Sequence, residues 1–136
     1  MMGPTRRSLT VVATMVLLAL AGLTVAGCSA GPPAGPVKPT YTTGAAGSAQ
    51  VVGYLVRAEL EGGFWAVYDA PLSPSSAVQP RVLAVLLPGS VDEQGIAALN
   101  GRYVWASGRA SGGASIRMAG PEILVDGIDV ATPPAQ

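Results

Sequence analysis

The chain has 136 residues, of which 49% are hydrophobic and 12% are charged, and its formal net charge is zero. One cysteine and no histidine exclude an internal disulfide bond and a Cys/His zinc site. The segment from Arg57 to Asp129 holds all eight acidic residues and five arginines, a net charge of −3. Because proteins bind the phosphate backbone through clustered Lys and Arg, this distribution argues against a nucleic-acid partner.

The first 27 residues have the organisation of an export signal. Arg6 and Arg7 give a short positive region, and the uncharged run "LTVVATMVLLALAGLTVAG" follows it. A membrane-spanning helix and a buried core helix are the alternatives, since the run is close to the length that crosses a bilayer. Small residues immediately before Cys28, with no positive cluster after it, favour a signal peptide over residues 1–27 that is removed.

The residues around the only cysteine, "VAGC" at 25–28, resemble the lipobox of bacterial lipoproteins. The resemblance implies cleavage between Gly27 and Cys28, a diacylglyceryl thioether on the Cys28 thiol, and a fatty acyl group such as palmitate on the new amine. It therefore implies a lipid anchor in the cell membrane, with the domain on the extracytoplasmic side. An ordinary secreted protein is the alternative. "TRRSL" at 5–9 also resembles the twin-arginine export motif, so the export route stays open.

Residues 28–50 follow as a segment rich in Pro, Gly and Ala, with few large apolar side chains. Such a composition cannot bury enough surface to offset the entropy of ordering, so a disordered spacer is expected. Residues 131–136 are expected to form a disordered tail. The folded domain is therefore predicted over residues 51–130.

Within this domain the pattern predicts three strands, one short helix and two more strands. "VVGYLVRAEL" and "GFWAVYDA" are rich in β-branched and aromatic residues, and Glu61-Gly62-Gly63 predicts a turn between them. A third strand is predicted from Arg81 to Leu87. Ser90 and Glu93 are spaced as a capping box for a helix from about Val91 to Asn100. "RYVWASGR" and "ASIRMAGPEILVDGIDV" are the last two strands, the second interrupted near Gly120-Pro121.

This order of elements resembles the OB-fold, a five-stranded Greek-key barrel. "VVGYLV" has a glycine in the first strand, where such a barrel bends sharply. "LNGRYVWASGR" is similar to the fourth strand of that family. The fold class is therefore predicted to be all-β with one short helix, as an OB-fold-like barrel. The alternative is another small barrel or sandwich of five or six strands.

A cluster of aromatic side chains is the candidate binding site. If Val104 and Trp65 point into the barrel, the alternation of side chains along a strand places a second set outside. This outward set comprises Phe64, Tyr68, Tyr103, Trp105 and Arg109. OB-folds commonly use such a face to stack against ligands. The opposite orientation would make the same rings core residues.

The titratable residues do not suggest an enzyme. Histidine, the most frequent general base, is absent. Glu59 and Glu61 share a strand face, where solvating charge is the simpler interpretation. Glu122, Asp126 and Asp129 could contribute oxygen ligands to a cation, but their spacing matches no known loop motif. The sequence therefore predicts no catalytic residues, no metal site and no cofactor.

The predicted function is a non-enzymatic binding or accessory module for another cell-envelope protein. Binding of a cell-wall saccharide or peptide through the aromatic face is an alternative. A hydrolase that uses carboxylates alone is a weaker one, which a cleft with converging Glu59, Glu61 and Asp69 would favour.

Overall fold

A computed structural model describes residues 31–112 and 119–136, apart from the side chain of Glu61. The predicted signal peptide, the "VAGC" motif with Cys28, and Arg117 lie outside these residues. The strands and the helix are β1 (Thr40–Thr43), β2 (Ser48–Ala58), β3 (Phe64–Tyr68), β4 (Val82–Pro88), α1 (Glu93–Ala97), β5 (Tyr103–Ala110) and β6 (Glu122–Val130). Within the described ranges, no helix combines the length and apolarity needed to cross a membrane.

The six strands form one sheet, and β2 is the strand with most partners. The strand order is β1-β2-β3-β4-β6-β5, and β2 pairs in addition with β5. The pairing between β4 and β6 is parallel, whereas the other pairings are antiparallel. The prediction of a mostly β fold with one short helix is confirmed.

The main core lies on one side of each strand. Its residues alternate along the strands with residues that face the other way, as the two-residue period of a β-strand requires. Ile96 from α1 also belongs to this cluster and is fully buried. The strand members are Ala49, Val51, Leu55, Trp65, Val67, Ala84, Leu86, Val104, Ala106, Ile123 and Val125.

The segment predicted to be a disordered spacer contributes to the fold. Thr40–Thr43 forms β1, which pairs with β2, and β2 itself begins at Ser48 rather than at Val51. Tyr41 packs against the main core. The run "TYTT" has the β-branched and aromatic composition of a strand, so the prediction that residues 28–50 are disordered is wrong from residue 40 onward.

The segment after β6 is also placed against the sheet, contrary to the predicted tail. Ala131 is buried, and its backbone N–H donates to the carbonyl oxygen of Tyr103 at 2.9 Å. Thr132 forms a bridge with Pro36, in which the Val37 N–H donates to the Thr132 carbonyl at 3.2 Å. The two ends of the described chain are therefore joined to each other.

Helix α1 is shorter than predicted and has another N-cap. Asp92 is the N-cap, and its Oδ1 accepts a hydrogen bond from the Gly95 N–H at 2.8 Å. The predicted cap, Ser90, instead donates to Asp126 at 2.9 Å. Gly101 has a φ of 80°, which fits its predicted role in ending this segment.

Two glycines allow backbones to approach closely inside the sheet. A Cβ on Gly53 would lie 2.4 Å from the carbonyl oxygen of Tyr68, and a Cβ on Gly108 would lie 1.9 Å from that of Leu124. Gly108 also follows an irregularity in the β5–β6 register. Neither position accepts a side chain unless the paired strand moves.

We therefore expect Gly108→Ala to lower the free energy of unfolding by about 1–3 kcal/mol, the usual cost of overpacking. Gly112→Ala is the matched control, because a Cβ there meets no atom within 4 Å. Urea unfolding followed by tryptophan fluorescence measures both changes. Equal stability of the two variants would contradict the close approach of β5 and β6.

Candidate functional site

Three tyrosines form a row across the outer side of the sheet, the side that faces away from the main core. Tyr54 on β2 is in register with Tyr103 on β5 and with Tyr68 on β3. The rings of Tyr54 and Tyr103 meet edge to face, with centroids 4.8 Å apart. Tyr54 and Tyr68 are half-buried, whereas Tyr103 is buried.

The predicted aromatic residues share this outer side, but most of them are covered. Tyr103 is only 6% exposed and Trp105 only 7%. They pack with Val52 and Ala131 in a second cluster, against which Val37 also lies. Of the two orientations left open by the sequence, Tyr103 and Trp105 therefore face away from the main core, but the chain segments on either side of the predicted domain cover them.

Phe64 and Arg109 complete the predicted set and lie in different surroundings. Phe64 is buried in a third cluster with Ala66 and Val85 and is not available as an exposed ring. Arg109 is exposed near the end of β5. Of the predicted set, only Tyr68 and Arg109 remain accessible, and they do not form one aromatic surface.

The hydroxyl of Tyr103 is hydrogen-bonded to the segment that covers its ring. The Tyr103 hydroxyl donates a short hydrogen bond to the carbonyl oxygen of Val37. Burial, together with the neighbouring Tyr54, raises the pKa of Tyr103 to about 12. The hydroxyl therefore keeps its proton, and its role as a donor, well into the alkaline range.

An exposed loop, residues 69–81, begins directly after Tyr68. A groove of about 510 Å³ lies between this tyrosine and the loop. Leu72 is 49% exposed and Val78 is 74% exposed. The other lining residues are Ser73, Pro74, Ser76, Gln79 and Pro80. The groove thus combines uncharged polar groups with apolar side chains.

An ion pair closes the base of this loop. The Arg81 backbone N–H donates to Asp69 Oδ1 at 2.8 Å, and Arg81 Nε donates to Asp69 Oδ2 at 3.0 Å. Partial burial raises the pKa of Asp69, but the hydrogen bonds and the charge of Arg81 outweigh it and hold that pKa below its ordinary value. The Asp69 carboxylate therefore has a structural role, because it accepts the two hydrogen bonds from Arg81 that close the loop.

A second accessible surface lies at the other end of the β2–β3 hairpin. We call it the hairpin-end surface, and it comprises Arg57, Glu59, Leu60, Trp65 and Glu93. Arg57 pairs with Glu93 at 3.3 Å and with Glu59 at 3.7 Å. Its guanidinium carbon lies 5.3 Å from the centroid of the Trp65 ring. Leu60, at the turn, is 70% exposed.

Trp65 closes the core at this end and lines a small pocket. The pocket has a volume of about 140 Å³. The indole Nε1–H of Trp65 is buried and finds no acceptor among the described residues. The remaining walls of the pocket are Gly63, Phe64, Leu86, Leu87, Pro88 and Glu93. Its walls therefore combine apolar side chains with polar groups, among them the carboxylate of Glu93.

Four of the carboxylates considered for chemistry, Glu59, Asp69, Asp126 and Asp129, have separate partners, and the side chain of Glu61 lies outside the described residues. Asp69 and Glu59 lie at opposite ends of the β2–β3 hairpin and pair with different arginines. Asp126 accepts from Ser90, and the Asp129 Oδ1 accepts from the Val130 N–H at 2.7 Å. Within residues 31–112 and 119–136, no group of three metal-ligating side chains is found.

Sequence reasoning missed the residues that form both accessible surfaces. Leu72 and Val78 stand in a stretch that composition marks only as a loop. The contact between Arg57 and Glu93 joins residues 36 positions apart, which no local pattern reveals. Leu60 could have been identified from the sequence, because it is a large apolar residue beside a predicted turn, where side chains are usually exposed.

Comparison of the chain with known proteins gave no matching family model, no matching curated protein and no matching solved structure.

The hydrogen bond of Tyr103 predicts a pH dependence of stability. The pKa of Tyr103 is raised from 10.0 to about 12 by folding, so its stabilising effect is complete below pH 10 and is lost as the pH rises through about 12. Tyr103→Phe removes this dependence and the hydrogen bond, at a cost of about 0.5–1.5 kcal/mol at neutral pH.

Urea unfolding of the native protein and of this variant, measured from pH 8 to 12, tests the prediction. The stability difference between them is expected to shrink above pH 10. A difference that stays constant up to pH 12 would contradict it.

Proposed function

We propose that this protein is a bacterial lipoprotein, anchored through Cys28 to the extracytoplasmic side of the cell membrane. The observation that supports the anchor is the "VAGC" sequence at 25–28, which follows a positive region and an uncharged apolar run. Lipid on Cys28 would hold the domain at the membrane, since two or three acyl chains anchor a protein stably. The domain would then lie on the extracytoplasmic side of the membrane, next to other envelope proteins.

We also propose that the domain is an OB-fold-like barrel made of β2 to β6. The pairings support this proposal, because they run from β2 through β3, β4, β6 and β5 back to β2. Followed once around, the register partners of Arg57 are Trp65, Leu86, Ile123 and Ala110, and Ala110 continues the β5–β2 register to Gly47. One turn around the sheet therefore starts at Arg57 and ends at Gly47, ten residues away in the sequence and directly before β2. Closing a sheet into a barrel requires such a stagger.

The biochemical role that the surfaces favour is a non-enzymatic accessory module that binds another envelope protein. The observation that carries this role is the hairpin-end surface, where the exposed Leu60 and the Trp65 pocket are surrounded by salt-bridged charges. Protein interfaces commonly have an apolar centre with a polar rim. A pocket of about 140 Å³ suits a single side chain of a partner rather than a complete small molecule.

The saccharide alternative finds less support in this geometry. It depended on an open aromatic face formed by Phe64, Tyr68, Tyr103 and Trp105, and three of these four residues are buried. The carboxylate hydrolase has less support still, because Glu59 and Asp69 are engaged by separate arginines.

The lipid anchor is tested on protein purified from the membrane of the bacterium that makes it. We expect the N-terminal peptide to begin at Cys28 and to carry the mass of a diacylglyceryl group. Cys28→Ser is expected to lack the diacylglyceryl mass and to keep an N-terminus that is not cleaved before residue 28. A native N-terminal peptide with a free thiol would contradict the proposal.

The accessory role is tested by a photo-crosslinking residue placed at Leu60 in the cell. We expect one discrete adduct with an envelope protein, lost when Arg57→Glu reverses the charge beside it. The same crosslinker at Val78 is the matched control, because Val78 and Leu60 are almost equally exposed, at 74% and 70%. No adduct at Leu60, or the same adduct from both positions, would contradict a specific partner at the hairpin end.

A further inference from the structure

The position at which the N-terminal segment joins the domain limits how far the domain can lie from its anchor. Pro36 is already bridged to Thr132, so seven residues, 29 to 35, separate it from Cys28. A fully extended chain spans at most about 3.6 Å per residue, so Pro36 lies within roughly 29 Å of the lipidated residue. With the lipid anchor of the proposed function, the side of the domain that carries Pro36 and Val37 is therefore the side on which the tether attaches.

Loop 69–81 lies on this same side. Val37 covers Tyr103, and Tyr103, Tyr54 and Tyr68 are neighbours across three paired strands. Paired strands are about 4.8 Å apart, so Tyr103 and Tyr68 are about 10 Å apart. The loop begins at the residue after Tyr68. A membrane surface that approaches the segment with Pro36 and Val37 is therefore close to loop 69–81 as well.

The chemistry of the loop suits contact with lipid. None of residues 70–80 carries a charge, and residues 71–79 are all exposed. Leu72 and Val78 are the large apolar side chains among them, and Tyr68 lies at the base of the groove. Tyrosine is enriched at membrane–water interfaces, where its ring is in apolar surroundings and its hydroxyl is hydrated.

The ion pair between Asp69 and Arg81 gives the loop a fixed base. Three hydrogen bonds join these two residues, including the one from the Asp69 N–H to the Arg81 carbonyl at 3.1 Å. The charges flanking the uncharged stretch are thus paired with each other. Lys38, exposed in the segment next to Val37, is a cation that can approach anionic headgroups.

We propose that loop 69–81 docks on the bilayer through Leu72 and Val78, as a second membrane contact beside the lipid on Cys28. This inference rests on the lipid anchor of the proposed function. Docking fixes the orientation of the domain, because the two contacts lie on the same side of the sheet. Arg57 of the hairpin-end surface lies three residues further along β2 from Tyr54, which is about 10 Å along the strand, and Leu60 lies beyond the end of β2.

The test uses the lipidated full-length mature protein in vesicles of phosphatidylethanolamine and phosphatidylglycerol. Lipidation consumes the Cys28 thiol, so Ser75→Cys places a single environment-sensitive fluorophore on the loop. We expect its emission to shift to the blue and to be quenched by nitroxide lipids labelled at the headgroup. A fluorophore at Gln94→Cys, an exposed position on α1, is expected to show neither effect.

Two sets of variants make the test specific. Leu72→Asp with Val78→Asp is expected to weaken the docking equilibrium roughly tenfold or more, and so to abolish most of the quenching. Leu60→Asp, a change of a leucine at the hairpin end that is 70% exposed, is expected to leave it unchanged. Circular dichroism confirms that each variant folds.

The two proposals fail in distinguishable ways. A purified protein whose N-terminal peptide lacks the diacylglyceryl mass would overturn the anchor and the docking together. A lipidated protein whose fluorophore at position 75 stays as exposed to water as that at position 94 would overturn the docking alone. Quenching that survives the Leu72 and Val78 changes would also overturn it.

Discussion

The pairing of β2 with three other strands is the constraint on which the rest of the structure depends. Its first half pairs with β1 and β5, and its second half pairs with β3, so the change of partner falls near Gly53 and Tyr54. At Gly53 the Tyr68 backbone leaves no room for a side chain, whereas Tyr54 is in register with tyrosines on both sides. Because one strand holds both halves of the sheet, the main core and the row of outer tyrosines are built around the same two residues.

This arrangement also separates the two surfaces proposed for function. The covered aromatic cluster and loop 69–81 lie near Tyr54, on the side where the N-terminal segment joins the domain. The salt-bridged cluster around Arg57 and the exposed Leu60 lie at the far end of β2. The proposed membrane contact and the proposed partner contact therefore use different surfaces of the domain. The aromatic rings first considered for binding serve stability instead, since Val37 and Ala131 cover them.

The sequence predicted the strands of the domain and the alternation of their side chains, because both follow from local composition and a two-residue period. The alternation left open on which side of the sheet Phe64, Tyr103 and Trp105 lie. The burial of Tyr103 and Trp105 could not be predicted, because it depends on Val37 and Ala131, which stand in Pro-rich or terminal segments with no periodic pattern of their own. The N-cap of α1 was misassigned since Ser90 and Asp92 are both good caps, and only the tertiary contact between Ser90 and Asp126 separates them. The pairing of Arg57 with Glu93 likewise depends on where the strands place the helix.

The central claim is that β2 pairs with β3 and with β5 at the same time, and nuclear Overhauser effects measure this most directly. In the lipid-free domain, the account predicts backbone contacts between Val52 and Trp105 and between Val56 and Ala66, together with parallel contacts between Leu86 and Ile123. Observation of the first two sets would establish that β2 pairs with both strands, and the third would establish the parallel pairing of β4 with β6. A spectrum with the β2–β3 contacts and without those between β2 and β5 would describe an open sheet and would contradict the account.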